Sequence, residues 1–180
     1  GGMVAVLGVE IEEVNNLLKK NINEYKCYIA NDNSNGQVVL SGLNLDLDKL
    51  IDSLNEKKIR NIRLPVSAPF HCKLMDKATS IMRDKIISVN FEKPKNFIIS
   101  NVTGSETQEV EKIKDLLIKQ IESPVRWRET VIYMIKNEVK NFIEIGPGKV
   151  LSGLVKRIDK TINIKNVNKF EDLTNIKFND

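Results

Sequence analysis

An α/β chain in two unequal parts is what the sequence predicts: an α+β lobe over residues 1–67 followed by an α/β core region over 68–180. Three observations carry that reading. Apolar residues switch along the chain between the two-residue alternation of strands and the three- and four-residue spacing of helices. Before Pro65 the segments run strand, helix, strand, strand, helix, strand. After Pro65 strands and helices alternate, an order that implies a parallel or mixed sheet with helices on its faces.

In the first part, Met3 to Val9 is apolar and β-branched, so it predicts a strand; Ile11, Val14, Leu17 and Leu18 then recur at helical spacing. Cys27 to Ala30 reads as a short strand, Asn31 to Gly36 as a polar turn, and Gln37 to Leu40 as the partner strand of a hairpin. Leu47, Leu50, Ile51 and Leu54 form a second helical stripe, and Ile59 to Leu64 alternates like a half-buried last strand. This βαββαβ order is the ferredoxin-like arrangement.

In the second part, Leu74, Ala78, Ile81 and Met82 share a helical face, and Asn96 to Asn101 contains the buried-strand run Phe97-Ile98-Ile99. Val110 to Ile121 is helical, with Ile113, Leu116, Leu117 and Ile121 on one side. Trp127, Val131, Met134 and Ile135 define the next helix, with Trp127 expected in its core face. Phe142 to Ile145 reads as a strand that ends in Gly146-Pro147-Gly148, after which Val150, Leu151, Leu154 and Val155 resume helical spacing. The polar, Asn-rich tail from Phe170 is expected to be loosely held.

Composition excludes several classes. The 28 Lys and Arg against 24 Asp and Glu give a formal charge of +4, and 29% of residues are charged. No stretch approaches the ~20 consecutive apolar residues of a bilayer span. The pI of about 9.0 is basic, yet charges of both signs follow one another, as in Glu12-Glu13 then Lys19-Lys20. That is the pattern of solvated faces rather than of a nucleic-acid groove. Cys27 and Cys72 are too few for a disulfide framework and lack metal-ligand spacing, so both are expected as reduced thiols and no metal site is expected. Gly1-Gly2-Met3 runs straight into the first strand, so the start is expected to be a cut one.

The chain's single histidine stands in Pro65-Val66-Ser67-Ala68-Pro69-Phe70-His71-Cys72-Lys73-Leu74-Met75. The two prolines hold the approach in an extended path, and the helical face begins three residues later. His71 therefore sits on a strand-to-helix loop, where α/β enzymes carry function. From the residues alone it is either a neutral-pH base or a surface or cap histidine.

The segment Val66 to Met75 resembles the histidine motif of malonyl-CoA:acyl carrier protein transacylases. Asn31-Asp32-Asn33-Ser34-Asn35-Gly36-Gln37-Val38-Val39 is similar to that family's Asn-x-Asn-Ser-x-Gly-Gln-Val-Val segment, and Gln120 to Trp127 and Glu144 to Leu151 match two later blocks in the same order. The resemblance implies an α/β-hydrolase-like acyltransferase subdomain with a small ferredoxin-like one inserted, and malonyl transfer from coenzyme A to acyl carrier protein in type II fatty acid synthesis. It makes His71 the base that activates a serine in a G-H-S-x-G elbow. It makes the backbone carbonyl of Gln120 the group that orients His71, and places Asn31 and Asn33 at the acyl-CoA cleft. Phe70, just before the histidine, resembles a size gate that favours malonyl over methylmalonyl units. Coenzyme A enters as a thioester substrate, and no metal or redox cofactor is implied.

The chain contains no G-H-S-x-G and no L-V-x-x-R-G. It is therefore expected to be the C-terminal portion of such an enzyme, with the N-terminal half, acyl carrier protein and malonyl-CoA as its partners, and to be inactive alone. Two other classes are weighed. An RNA-binding module shares βαββαβ and a basic pI, but Met3 to Val9 and Gln37 to Leu40 carry no aromatic platform. An inert structural fragment is the other. Ser34, Ser41, Ser67, Ser100 and Ser152 read as turn or cap serines. Gly146-Pro147-Gly148 reads as a strand-to-helix turn or as a phosphate site at the opening amides of the next helix, and Lys149, Lys156 and Arg157 as an exposed basic face or a carrier-docking one.

Overall fold

The computed structural model describes residues 1–175, and it divides into two compact units, Gly1–Thr130 and the part from Val131 on. In the first unit, β1 (Gly2–Leu7), α1 (Ile11–Lys20), β2 (Cys27–Ser34), β3 (Gln37–Gly42), α2 (Asn44–Glu56) and β4 (Arg60–Arg63) form the βαββαβ lobe. The strand order is β2-β3-β1-β4 with antiparallel neighbours, the ferredoxin-like order; Val4 of β1 lies opposite Leu40 on one side and Arg63 on the other.

The helices sit where their apolar stripes can be buried. Val4, Val6, Val38 and Leu40 point to the face covered by Val14 of α1 and by Leu47, Leu50 and Leu54 of α2. Each fully buried leucine contributes about 1.5–3 kcal/mol of transfer free energy. Met3, Ala5, Ala30 and Val39 form a smaller apolar cluster with Leu64 packed against it. The alternating charges of α1 have a local cause as well: Glu12 and Glu13 lie in its first turn and Lys19 and Lys20 in its last, complementing the helix dipole.

The hairpin differs from expectation. The segment from Asn31 on is not a turn but the second half of β2, and the tight turn is reduced to Asn35 and Gly36. Ala30, Asp32 and Ser34 are buried at alternate positions, and the register against β3 slips between Ile29 and Asn31 and again between Asp32 and Ser34. Polar side chains turned inward concealed the strand's two-residue period. Gly36 adopts φ +71, and its carbonyl accepts from the Gly8 amide at 2.8 Å, which pins the β1–α1 loop to the hairpin.

After β4 the chain forms a 3-10 turn (Lys73–Met75), α3 (Asp76–Ser88), β5 (Ile98–Ile99), β6 (Glu106–Thr107), α4 (Val110–Lys119) and α5 (Trp127–Lys136). β5 and β6 pair antiparallel. The run expected to be a buried strand is short and open, with Phe97 62% exposed. Ile81 and Met82 of α3 are exposed too, whereas Ile113, Leu116 and Ile118 of α4 are buried. In the second unit, β7 (Asn141–Ile145) and β8 (Asn163–Val167) pair in parallel, joined through α6 (Val150–Ile158). In place of the single parallel or mixed sheet expected for the second part, the described residues form two separate two-stranded ladders, one antiparallel and one parallel. Of the tail expected to be loose, Phe170–Asn175 forms a 3-10 helix, and 176–180 lie outside the described residues.

Candidate active site

His71 lies between β4 and α3, on a loop fixed from several sides. The Leu64 amide donates to the Met3 carbonyl at 2.9 Å, carrying the β1–β4 pairing one residue onward. At the far end of the loop the Met75 amide donates to the Cys72 carbonyl at 3.0 Å, and the Cys72 thiol donates to the Pro69 carbonyl at 3.2 Å. His71 itself takes φ +61, the left-handed region that side chains with a β-carbon rarely enter. Its Nδ1 lies 3.1 Å from the Gln120 carbonyl oxygen.

That contact fixes the tautomer. A carbonyl oxygen only accepts, so the neutral ring carries its proton on Nδ1 and its lone pair on Nε2, the arrangement a general base needs. Gln120 is the C-cap of α4, so its carbonyl stands at the negative end of a helix dipole. The dipole supplies part of the stabilisation that a carboxylate gives to an imidazolium, at about 0.3–2 kcal/mol.

The imidazole lines a cleft of about 540 Å³, together with Ile11, Leu18 and Tyr28 and the charged groups of Asp32, Arg126 and Glu129. Cys27 and Cys72 also line it. Burial pushes the Cys27 thiol up to about 12, with the Asp46 charge adding to the effect. Burial raises Cys72 as well. Both sulfurs therefore stay protonated near neutrality, and neither has the thiolate character of a nucleophile. Among the described residues no hydroxyl hydrogen-bonds to His71 Nε2, and no group of three or more His, Cys, Asp and Glu side chains is arranged to hold a metal. No helix among them is long and apolar enough to cross a membrane.

Of the residues singled out from sequence, His71 and Gln120 meet directly, and Phe70, 40% exposed, precedes the imidazole. Asn31 and Asn33 lie on β2, and it is Asp32 between them that lines the cleft. Sequence reasoning passed over Asp32 and Arg128. Asp32 is only 2% exposed, and its two carboxylate oxygens accept from Arg128 Nε at 3.1 and 2.9 Å across 96 positions of sequence. Hydrogen bonding to Asp32 raises the Arg128 guanidinium above its ordinary value. The backbone adds to this latch: the Asp32 amide donates to the Val125 carbonyl, and the Val125 amide to the Ala30 carbonyl, at 2.9 and 2.8 Å. Arg126 donates to the Val102 and Thr103 carbonyls and pairs with Glu129. The segment just after Gln120 is thereby tied to β2. Asp32 is the one acid in the β2–β3 pairing, and that was the available signal, because a buried carboxylate requires a cation.

In the second unit, Gly146-Pro147-Gly148 is a structural turn. The amides of Leu151 and Ser152 at the start of α6 donate to the Glu144 carboxylate, and the Gly148 amide to Asn168 Oδ1. A phosphate would have to displace a carboxylate from those amides. Burial alone would raise Glu144, but the Ser152 hydroxyl and amide, the Leu151 amide and the Asn166 side chain overcome it and hold the carboxyl below its ordinary value. Lys156 is exposed, as a basic helix face requires, and its Nζ donates to the Lys160 and Ile162 carbonyls. Trp127, expected in the core face of its helix, is part-buried.

This geometry has relatives. The model of the acyl transferase domain family matches residues 1–173. Malonyl CoA-acyl carrier protein transacylase of Staphylococcus aureus is 34% identical over 184 residues, which span all of this chain and 59% of that protein. The crystal structure of malonyl CoA-acyl carrier protein transacylase from Clostridium perfringens superposes with a TM-score of 0.90 at 38% identity, over 97% of this chain and 55% of that one. A malonyl-transacylase solved in complex with a type II polyketide acyl-carrier protein gives 0.89 at 32% identity, over 96% and 56%. The chain thus spans about three-fifths of the length of the curated relatives it matches. With the whole lobe, the histidine loop and the later blocks all inside the matched range, the chain belongs to the acyl transferase domain family.

Proposed function

We propose that this chain is the histidine-bearing portion of a malonyl-CoA:acyl carrier protein transacylase. The observation that carries the reading is the contact between His71 Nδ1 and the Gln120 carbonyl, in a chain whose relatives bear that name. In the proposed cycle a serine from the remainder of the enzyme gives its proton to His71 Nε2 as its oxygen attacks the malonyl thioester carbonyl. The tetrahedral intermediate collapses by breaking the carbon–sulfur bond, and the departing coenzyme A thiolate takes the proton back from Nε2. The carrier thiol then runs the same steps in reverse and leaves as malonyl thioester. Nδ1 keeps its proton on the Gln120 carbonyl throughout, so the ring shuttles only one.

In this reading residues 1–67 are the small subdomain and 68–180 the latter part of the large one. Asn31 and Asn33 border the bound acyl-CoA, and Phe70 narrows the acyl pocket against an α-methyl group. The exposed Ile81 and Ile87 of the first unit and, separately, the exposed Ile145 and Val150 of the second suit apolar contacts with the N-terminal half. Without the serine, the chain alone forms no acyl intermediate.

The test is single-turnover labelling of the complete enzyme with radioactive malonyl-CoA. His71→Ala is expected to lower acyl-serine formation by on the order of 10²-fold or more, the usual contribution of a general base, without unfolding the protein. An unchanged acylation rate would remove His71 from the mechanism.

A further inference from the structure

Ser41 reads from sequence as a turn or cap serine, and the structure corrects that. It is the penultimate residue of β3, paired in register with Met3 of β1 and Tyr28 of β2, and it is fully buried. A hydroxyl enclosed between two strands requires a partner. Its partner is 29 positions away: Oγ donates to the Phe70 carbonyl at 2.6 Å.

The identity of that acceptor matters. The Phe70 carbonyl belongs to the peptide group whose nitrogen is the backbone nitrogen of His71. The φ angle of His71 is the rotation about the bond from that nitrogen to its Cα, so the plane of this peptide is the frame from which the imidazole projects. His71 holds φ +61, a value that a residue with a β-carbon leaves unless its surroundings prevent it. The backbone carbonyls flanking this peptide, those of Pro69 and Cys72, are held by other bonds of the loop. The Ser41 hydroxyl grips the peptide itself and fastens it to the centre of the four-stranded sheet.

We propose that Ser41 is a positioning residue for His71: by anchoring the Phe70–His71 peptide it keeps the histidine in its left-handed conformation, with Nδ1 on the Gln120 carbonyl and Nε2 aimed into the cleft. The proposal rests on His71 being the base. Once the hydroxyl is removed, the peptide rotates, φ relaxes toward negative values, and the imidazole spends less time on Gln120. Ser41 touches no substrate in this role, so its effect appears in the rate of the chemical step and not in substrate affinity.

The experiment is a double-mutant cycle in the complete transferase, reading acyl-serine formation at saturating malonyl-CoA, apparent affinity for malonyl-CoA and the thermal midpoint. Ser41→Ala is expected to slow acylation about tenfold, the effect of one lost hydrogen bond, with affinity and midpoint little changed. Ser41→Thr, which keeps the hydroxyl, is expected to recover most of the rate. In a His71→Ala background, Ser41→Ala should cause no further loss, because the two residues act as one unit. The proposal is overturned if Ser41→Ala acylates at the parent rate, if its tenfold loss persists in the His71→Ala background, or if the loss tracks a fall in the midpoint and threonine does not restore it. A slow His71→Ala beside a fast Ser41→Ala defeats only this proposal; a fast His71→Ala defeats the reading of the site as well.

Discussion

The βαββαβ lobe and the unit that begins at Val131 solve the problem of covering a sheet in opposite ways. The lobe has four antiparallel strands, two helices packed over one face and a second apolar cluster with Leu64 beside it. The second unit has a parallel pair, β7–β8, with α6 packed against β8, and it leaves Ile145 77% and Val150 72% exposed. Antiparallel hairpins close locally and can bury a core from one stretch of sequence. A parallel pair needs cover on both faces and further strands before it is stable alone. Self-sufficiency therefore belongs to the lobe, while the second unit carries apolar surface suited to more protein than the described residues provide.

The largest test of that contrast compares one apolar residue from each side. Leu47→Ala removes a fully buried side chain from beneath the lobe's sheet and is expected to cost about 2–5 kcal/mol in chemical denaturation of the chain. Ile145→Ala should change stability by less than about 0.5 kcal/mol, as exposed positions do. Equal losses would abolish the distinction. A smaller effect is expected at the latch. Asp32→Ala strands the Arg128 guanidinium, whose side chain keeps 21% exposure, so the loss should fall near 1–3 kcal/mol, below that of a wholly buried pair. An Asp32→Ala protein with the parent's midpoint would show that the ion pair contributes nothing net.

The smallest effect concerns Glu144. Glu144→Gln is expected to destabilise the second unit by about 1 kcal/mol through its weaker grip on the α6 amides. The sign with pH follows from the lowered carboxyl. Its stabilisation is present above the unfolded-state value and is lost as pH falls through the folded-state one. The parent should therefore lose stability in acid more steeply than the Gln variant, and amide exchange of α6 against pH measures it. Parallel curves would contradict the assignment.

Legibility followed the same divide. The lobe announces itself because Met3 to Leu7 and Val38 to Leu40 are apolar on both faces and two helical stripes lie between the strands. The second half of β2 did not, since its inward side chains are Asp32 and Ser34, and inward-facing polarity imitates a turn. β8 mixes Ile164 and Val167 with Asn163, Lys165 and Asn166 and shows no clean period. β5 and β6 are two residues each, too short for any period to register. At the site, a backbone carbonyl as partner leaves no mark on residue type, so Gln120 was reachable only through resemblance to a family. Ser41 looked ordinary because its meaning lies in an acceptor 29 residues downstream.

The bridge between Val125 and β2 has a consequence for how the lobe behaves in a crowd. A four-stranded sheet presents two rims, and each is a template on which another chain can add a strand. At the β2 rim the Asp32 amide and the Ala30 carbonyl are already engaged by Val125. At the β4 rim the strand is only four residues long, with Arg60 exposed and Arg63 paired with Asp48, and a short edge carrying charged side chains resists strand addition. One rim is plugged by the protein's own backbone and the other is guarded by charge, which closes the sheet to growth by strand addition and directs association to side-chain surfaces elsewhere.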